Sequence, residues 1–125
     1  MEREMNETNT RDEKLAAAQT RMAELAKKFL VRSAGDLVSM REGLDKVARG
    51  QVEAIDDLRH LAHRMAGTGA TLGFETIAAR AGDIETLAEA GASGSESAAD
   101  TRARFASALD ALEVELRRAR ETQAT

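Results

Sequence analysis

Apolar residues recur in alternating steps of three and four along most of this chain, and no proline interrupts them. That spacing is one face of an α-helix, not the period-two alternation of a strand. With no proline, glycine is the main residue left to end a helix. A first stripe runs Met22, Ala26, Leu30 (with Phe29 beside it), Ser33, Leu37, Met40, Leu44 and Val47, and Arg49-Gly50 stops it. A second runs Ile55, Leu58, Ala62, Met65, Gly69 and Leu72, ending at Gly73. A third, from about Glu75 to Ala90, carries Ile77, Ala81, Ile84 and Leu87/Ala88 and stops at Gly91. The last carries Phe105, Leu109, Leu112, Leu116 and Ala119 and frays by about Arg120.

Four amphipathic segments joined by short links predict an all-α fold, an antiparallel up-down four-helix bundle with a short or continuous extra N-terminal helix. Thr10-Arg11-Asp12-Glu13 reads as a capping box, with residues 1–9 a disordered tail before it. Residues 10–122 then form one domain. Read as one helix, the first segment would span about 39 residues and about 58 Å. That predicts a break near Thr20 or at Ser33-Ala34-Gly35, with a short first helix capping a longer second one. Gly91-Ala92-Ser93-Gly94-Ser95 reads as a flexible loop, and Ser97-Ala98-Ala99-Asp100 as the cap of the last helix.

The function classes narrow on charge and cysteine. Net charge is −4, the wrong sign for a nucleic-acid footprint. There is no cysteine, hence no disulfide frame and no thiolate metal site. No apolar run approaches the roughly 18 residues of a membrane span, and the start is charged instead of signal-like. The expected setting is cytoplasmic, away from membrane and nucleic acid.

The run His63-Arg64-Met65-Ala66-Gly67-Thr68-Gly69-Ala70-Thr71-Leu72-Gly73-Phe74 breaks the pattern. A helix-interior glycine costs roughly 0.5–1 kcal/mol relative to alanine, so these positions need bare space. At 100° per residue, His63 falls roughly 135° from the centre of its stripe. The outward face reads Asp56, His60, His63, Gly67 and Thr71. Gly67, at i+4 from His63, leaves the ring approachable. Gly69 lies on the core stripe and suits close packing. A neutral, exposed imidazole is a nucleophile that can accept and return a phosphoryl group. The chain has no glycine loop of the nucleotide-binding kind, so a partner must supply the acyl phosphate and the Mg²⁺. A plain surface histidine is the competing reading. His60 lacks a glycine four residues on. Asp56, His60 and His63 form a stripe without an obvious fourth ligand, so no metal site is assigned.

These residues resemble the histidine-containing phosphotransfer (Hpt) family, whose pattern is approximately A-H-x-x-K-G-x-x-x-x-x-G. Ala62-His63-Arg64-Met65-Ala66-Gly67 is followed by Leu72-Gly73. Phe29-Leu30, Leu37, Met40 and Leu44 resemble the helix before it, and Ile77, Ala78, Ala81, Ile84 and Glu85 the helix after it. The resemblance covers about residues 15–118. It implies a bundle that relays phosphoryl groups between receiver-domain aspartates through the histidine Nε2, without being an enzyme itself. His63 would be the phosphoacceptor and Gly67 the access glycine. The implied partners are response-regulator receiver domains, and a hybrid histidine kinase also fits. No cofactor is held by the chain, Mg²⁺ coming with the receiver. The family lysine is Ala66 here. Arg59 and Arg64 are the substitutes for its charge, Arg59 being favoured at i−4. His60, Leu61, Ala66, Ala70 and Thr71 are the expected docking residues. The alternative is a non-catalytic helical adaptor or dimerisation module with a lapsed phosphoacceptor.

Overall fold

A computed structural model of the chain describes residues 2–91 and 97–124. Four helices follow in order: α1 Glu2–Ala48, α2 Ala54–Thr71, α3 Glu75–Gly91 and α4 Ala98–Ala124. Each packs on two others, α1 on α2 and α4, α3 on α2 and α4, which closes a four-helix ring. Neighbours run antiparallel: Asp45 of α1 pairs with Arg102 of α4, and Arg41 of α1 with Asp110 further along α4. The expected stripes line the centre, from Leu30, Leu37, Met40 and Leu44 through Leu58, Ala62 and Met65 to Ile77, Ala81 and Ile84 and on to Phe105, Leu109, Leu112 and Leu116.

The two short links end their helices in the same way. Gly50 (φ 92°) and Gly73 (φ 85°) hold left-handed backbone that a side chain would strain. Gln51 N–H donates to the Lys46 carbonyl and Gly50 N–H to that of Val47. Phe74 N–H donates to the Gly69 carbonyl and Gly73 N–H to that of Ala70. Each pair is a Schellman cap, satisfying carbonyls the helix end would leave open. Ser97 caps α4, its Oγ accepting from Asp100 N–H at 3.2 Å. The loop expected over residues 91–95 lies, from Ala92 on, outside the described residues.

The first segment departs from expectation. α1 is one continuous helix of 47 residues, not a short helix capping a longer one. Residues 2–9, expected as a tail, are its first turns, and Thr10-Glu13 lies inside the helix. Neither suggested break forms. The Thr20 hydroxyl donates to the Ala16 carbonyl at 3.0 Å, so it is satisfied within the helix. Ser33 is buried on the core side, and Gly35 faces open space. With no proline or glycine before Gly35, nothing in the sequence stops the helix. Met22, expected in the core, is 48% exposed, because the bundle ends at Ala26, the first buried residue of α1. The links also shift: α2 starts at Ala54 after a tight turn over Gln51–Glu53, and α4 continues past Arg120.

Candidate functional site

The site sits on α2, and packing on both sides fixes it. Ala62 and Met65 are buried toward the core, which turns His63 outward between them. The His63 side chain is 73% exposed. Its Nδ1 lies 2.5 Å from Oε2 of Glu85 on α3. A carboxylate only accepts, so Nδ1 carries the hydrogen, and in the neutral form of the ring the lone pair is then on Nε2. No hydrogen bond to His63 Nε2 is formed among the described residues.

His60 is engaged at both nitrogens. Its Nδ1 lies 2.8 Å from the Asp56 carbonyl oxygen, and its Nε2 lies 3.4 Å from Arg59 Nη2. The two histidines therefore differ in kind: one has its second nitrogen open, the other does not.

A Cβ built on Gly67 meets nothing within 4 Å, so the space beside the imidazole is open. Gly69 is the reverse case. A Cβ there would come within 3.3 Å of Phe29 and 3.6 Å of Ala78, so its bareness seats α1 and α3 against α2. Phe29 then stacks on Phe74 with ring centroids 5.3 Å apart, beside the cap at Gly73. That cluster fixes the end of α2 just beyond the histidine.

The expected supporting cations point elsewhere. Arg59 Nη2 bonds Asp56 at 3.0 Å. Helical side chains lean toward the N-terminus, so a residue at i−4 leans away from His63, while one at i+3 or i+4 leans over it. This corrects the preference for Arg59: the lean makes position 66 the one from which a side chain reaches the ring, and Ala66 is too short to do so. Arg64 turns the other way and bonds Asp36 of α1 at 3.2 Å. Of the expected docking residues, His60, Ala70 and Thr71 are exposed, whereas Leu61 and Ala66 pack partly on the core. The Thr71 hydroxyl donates to the Gly67 carbonyl at 3.0 Å. Beyond Arg64, a groove of about 250 Å³ between α1 and α2 is lined by Leu25, Lys28, Phe29, Arg32, Thr68 and Thr71, among others.

Glu85 is the residue that sequence reasoning left without a role. Its signal was faint: it follows Ile84 of the core stripe and so sits where α3 meets a neighbour. Which helix it meets, and at what height, depends on a register that no local pattern encodes.

A four-helix ring that presents one oriented imidazole, with a bare position one turn on, has the build of a histidine phosphocarrier. The sequence profile of the Hpt domain matches residues 24–121, most of the chain, and the chain belongs to that family. Hpt domains act in phosphotransfer within two-component signalling, as carriers that do not themselves generate the phosphoryl group. No curated protein and no solved structure matches the chain. No described helix is long and apolar enough to cross a membrane.

Proposed function

We propose that this chain is a cytoplasmic phosphorelay intermediate, accepting a phosphoryl group on His63 from one receiver-domain aspartate and passing it to another. The observation that carries the reading is the His63–Glu85 hydrogen bond through Nδ1 on a side chain that is 73% exposed, which in the neutral ring puts the lone pair on Nε2. In the forward step the Nε2 lone pair attacks the phosphorus of an aspartyl phosphate. The N–P bond forms as the acyl O–P bond breaks, and the electron pair leaves with the aspartate carboxylate. Nδ1 keeps its hydrogen, and Glu85 stabilises the cationic ring that results. The return step reverses each of these events. The partner's magnesium ion supplies charge neutralisation when the two proteins meet, and Glu85 stays on Nδ1 throughout.

Gly67 provides access. Gly67→Ala is expected to act in opposite directions on the two properties. The new methyl is unopposed in the free protein, so the helix gains about 0.5–1 kcal/mol and the melting temperature rises by a few degrees. The same methyl occupies the partner's approach and slows transfer by about tenfold. Thermal melts beside transfer kinetics check both signs.

Glu85 is a positioning residue. Glu85→Ala is expected to slow transfer by about tenfold, the scale of one hydrogen bond to a charged group. Glu85→Gln keeps an oxygen that accepts from Nδ1–H and restores most of the rate. A residue needed only for packing would show no such rescue.

The direct test incubates the protein with phosphorylated receiver domains and looks for acid-labile, base-stable label. Failure of every receiver to label the wild type would leave the helical adaptor reading in its place.

A further inference from the structure

The N-terminal half of α1 lies outside the matched domain, which begins at residue 24, and outside the bundle, whose first buried residue on this helix is Ala26. From residue 10 to residue 25 every side chain is exposed except Ala18, which is partly so. Between residues 10 and 35 it holds six Lys and Arg against three Asp and Glu, in a chain whose net charge is −4. At 100° per residue, Arg11, Lys14, Arg21, Lys28 and Arg32 share an arc of about 100°. Asp12, Glu13 and Glu24 all fall outside it. Ala18 and Leu25 lie within the arc and Met22 at its edge. Leu25 and Met22 are each 48% exposed.

Two observations say what this face is for. First, all five of these cations are exposed and none makes an ion pair among the described residues. Of the other described cations, Arg41, Arg59, Arg64, Arg80, Arg102, Arg117 and Arg118 each have a carboxylate within reach, whereas Lys27, Lys46, Arg49 and Arg120 have none among the described residues, so it is the clustering on one arc that sets these five apart. Second, the arc runs into the groove between α1 and α2, where Leu25, Lys28 and Arg32 face Arg64 and Thr68 across it. It is continuous with the surface next to His63.

We propose that this face of α1 is a second contact for the phosphotransfer partner, which meets it with an acidic surface centred on apolar side chains. The inference rests on the phosphorelay reading and adds a partner chemistry to it. Leu15, Ala18, Met22 and Leu25 follow the three-four spacing of a helix-to-helix seam, so a helical element of the partner fits best. A second copy of this chain fits poorly, since an antiparallel seam centred on Arg21 would set Arg21 against its own equivalent and Lys14 against Lys28 of the other copy. A lipid surface fits poorly too. Apart from Arg11, which lies in line with the apolar strip, the cations of the arc flank it on one side, and Asp12 stands on the other.

The experiment uses receiver domains that label the wild-type protein. The triple variant Arg21→Glu, Lys28→Glu, Arg32→Glu is compared with Lys27→Glu, which reverses an exposed charge on the far side of the helix. At about 0.05 M salt the triple variant is expected to raise the half-saturating receiver concentration by about tenfold or more, while the saturated transfer rate stays unchanged. At about 0.5 M salt the gap narrows, and Lys27→Glu behaves as wild type. If the wild type is labelled and the triple variant matches it at low salt, this inference fails and the phosphorelay reading stands. If no receiver labels the wild type, both fail. A dimer in sedimentation that the triple variant dissolves, or binding to anionic vesicles that it abolishes, assigns the face to another occupant and overturns the inference.

Discussion

His63→Gln accepts no phosphoryl group from any receiver domain that labels the wild type. Glutamine still offers an amide N–H near Glu85, so the local polar contact has a substitute. It has no basic nitrogen with an available lone pair, so no N–P bond forms. The loss is complete instead of graded, because the group removed is the nucleophile itself. His63 is 73% exposed and contributes no core packing, so the variant retains its helical circular dichroism and melting temperature. Replacing His60 is the informative companion. His60 is held at both nitrogens, and His60→Gln keeps the label. Label that survives in His63→Gln would remove His63 from the relay.

Phe105→Ala is expected to destabilise the fold by about 3–5 kcal/mol. Phe105 is 1% exposed and is the largest of the fully buried side chains. It sits on α4, which packs on α1 and α3 and not on α2. The prediction therefore tests whether the histidine helix depends on the helix diagonal to it, whose buried residues belong to the same core. Single domains of this size unfold with about 5–15 kcal/mol, so the loss is a large part of the whole. The signature is one cooperative transition at lower denaturant concentration with an unchanged slope, and helical signal from α2 lost together with the rest. A two-step transition would show that α4 and α2 are independent.

Much of this fold is legible in the sequence. The steps of three and four named the buried residues of α2 and α3 almost one for one, because burial of a helix face is a local, periodic property. Gly50 and Gly73 announced the turns, since left-handed backbone favours glycine. The angle of His63 followed from its distance to Ala62 and Met65. Other features follow from geometry between helices. Glu85 meets His63 only because α3 packs at one height against α2. Met22 continues the apolar spacing of α1 but lies past the end of its neighbours, and spacing carries no information on where neighbours stop. Arg59 and position 66 look equivalent when only separation is counted. The lean of side chains toward the N-terminus makes them opposite.

Gly67 faces open space and His63 stands clear of the core, so neither owes its identity to folding. The helical scaffold and its chemistry are consequently separable. The phosphorelay reading therefore predicts that substitutions at these positions change what the molecule does and leave its shape intact, so that a structural comparison alone would register such a descendant as unchanged. Whether a bundle of this build is a carrier or only a docking piece is written in a few surface atoms, and those are the atoms that natural variation can alter most freely.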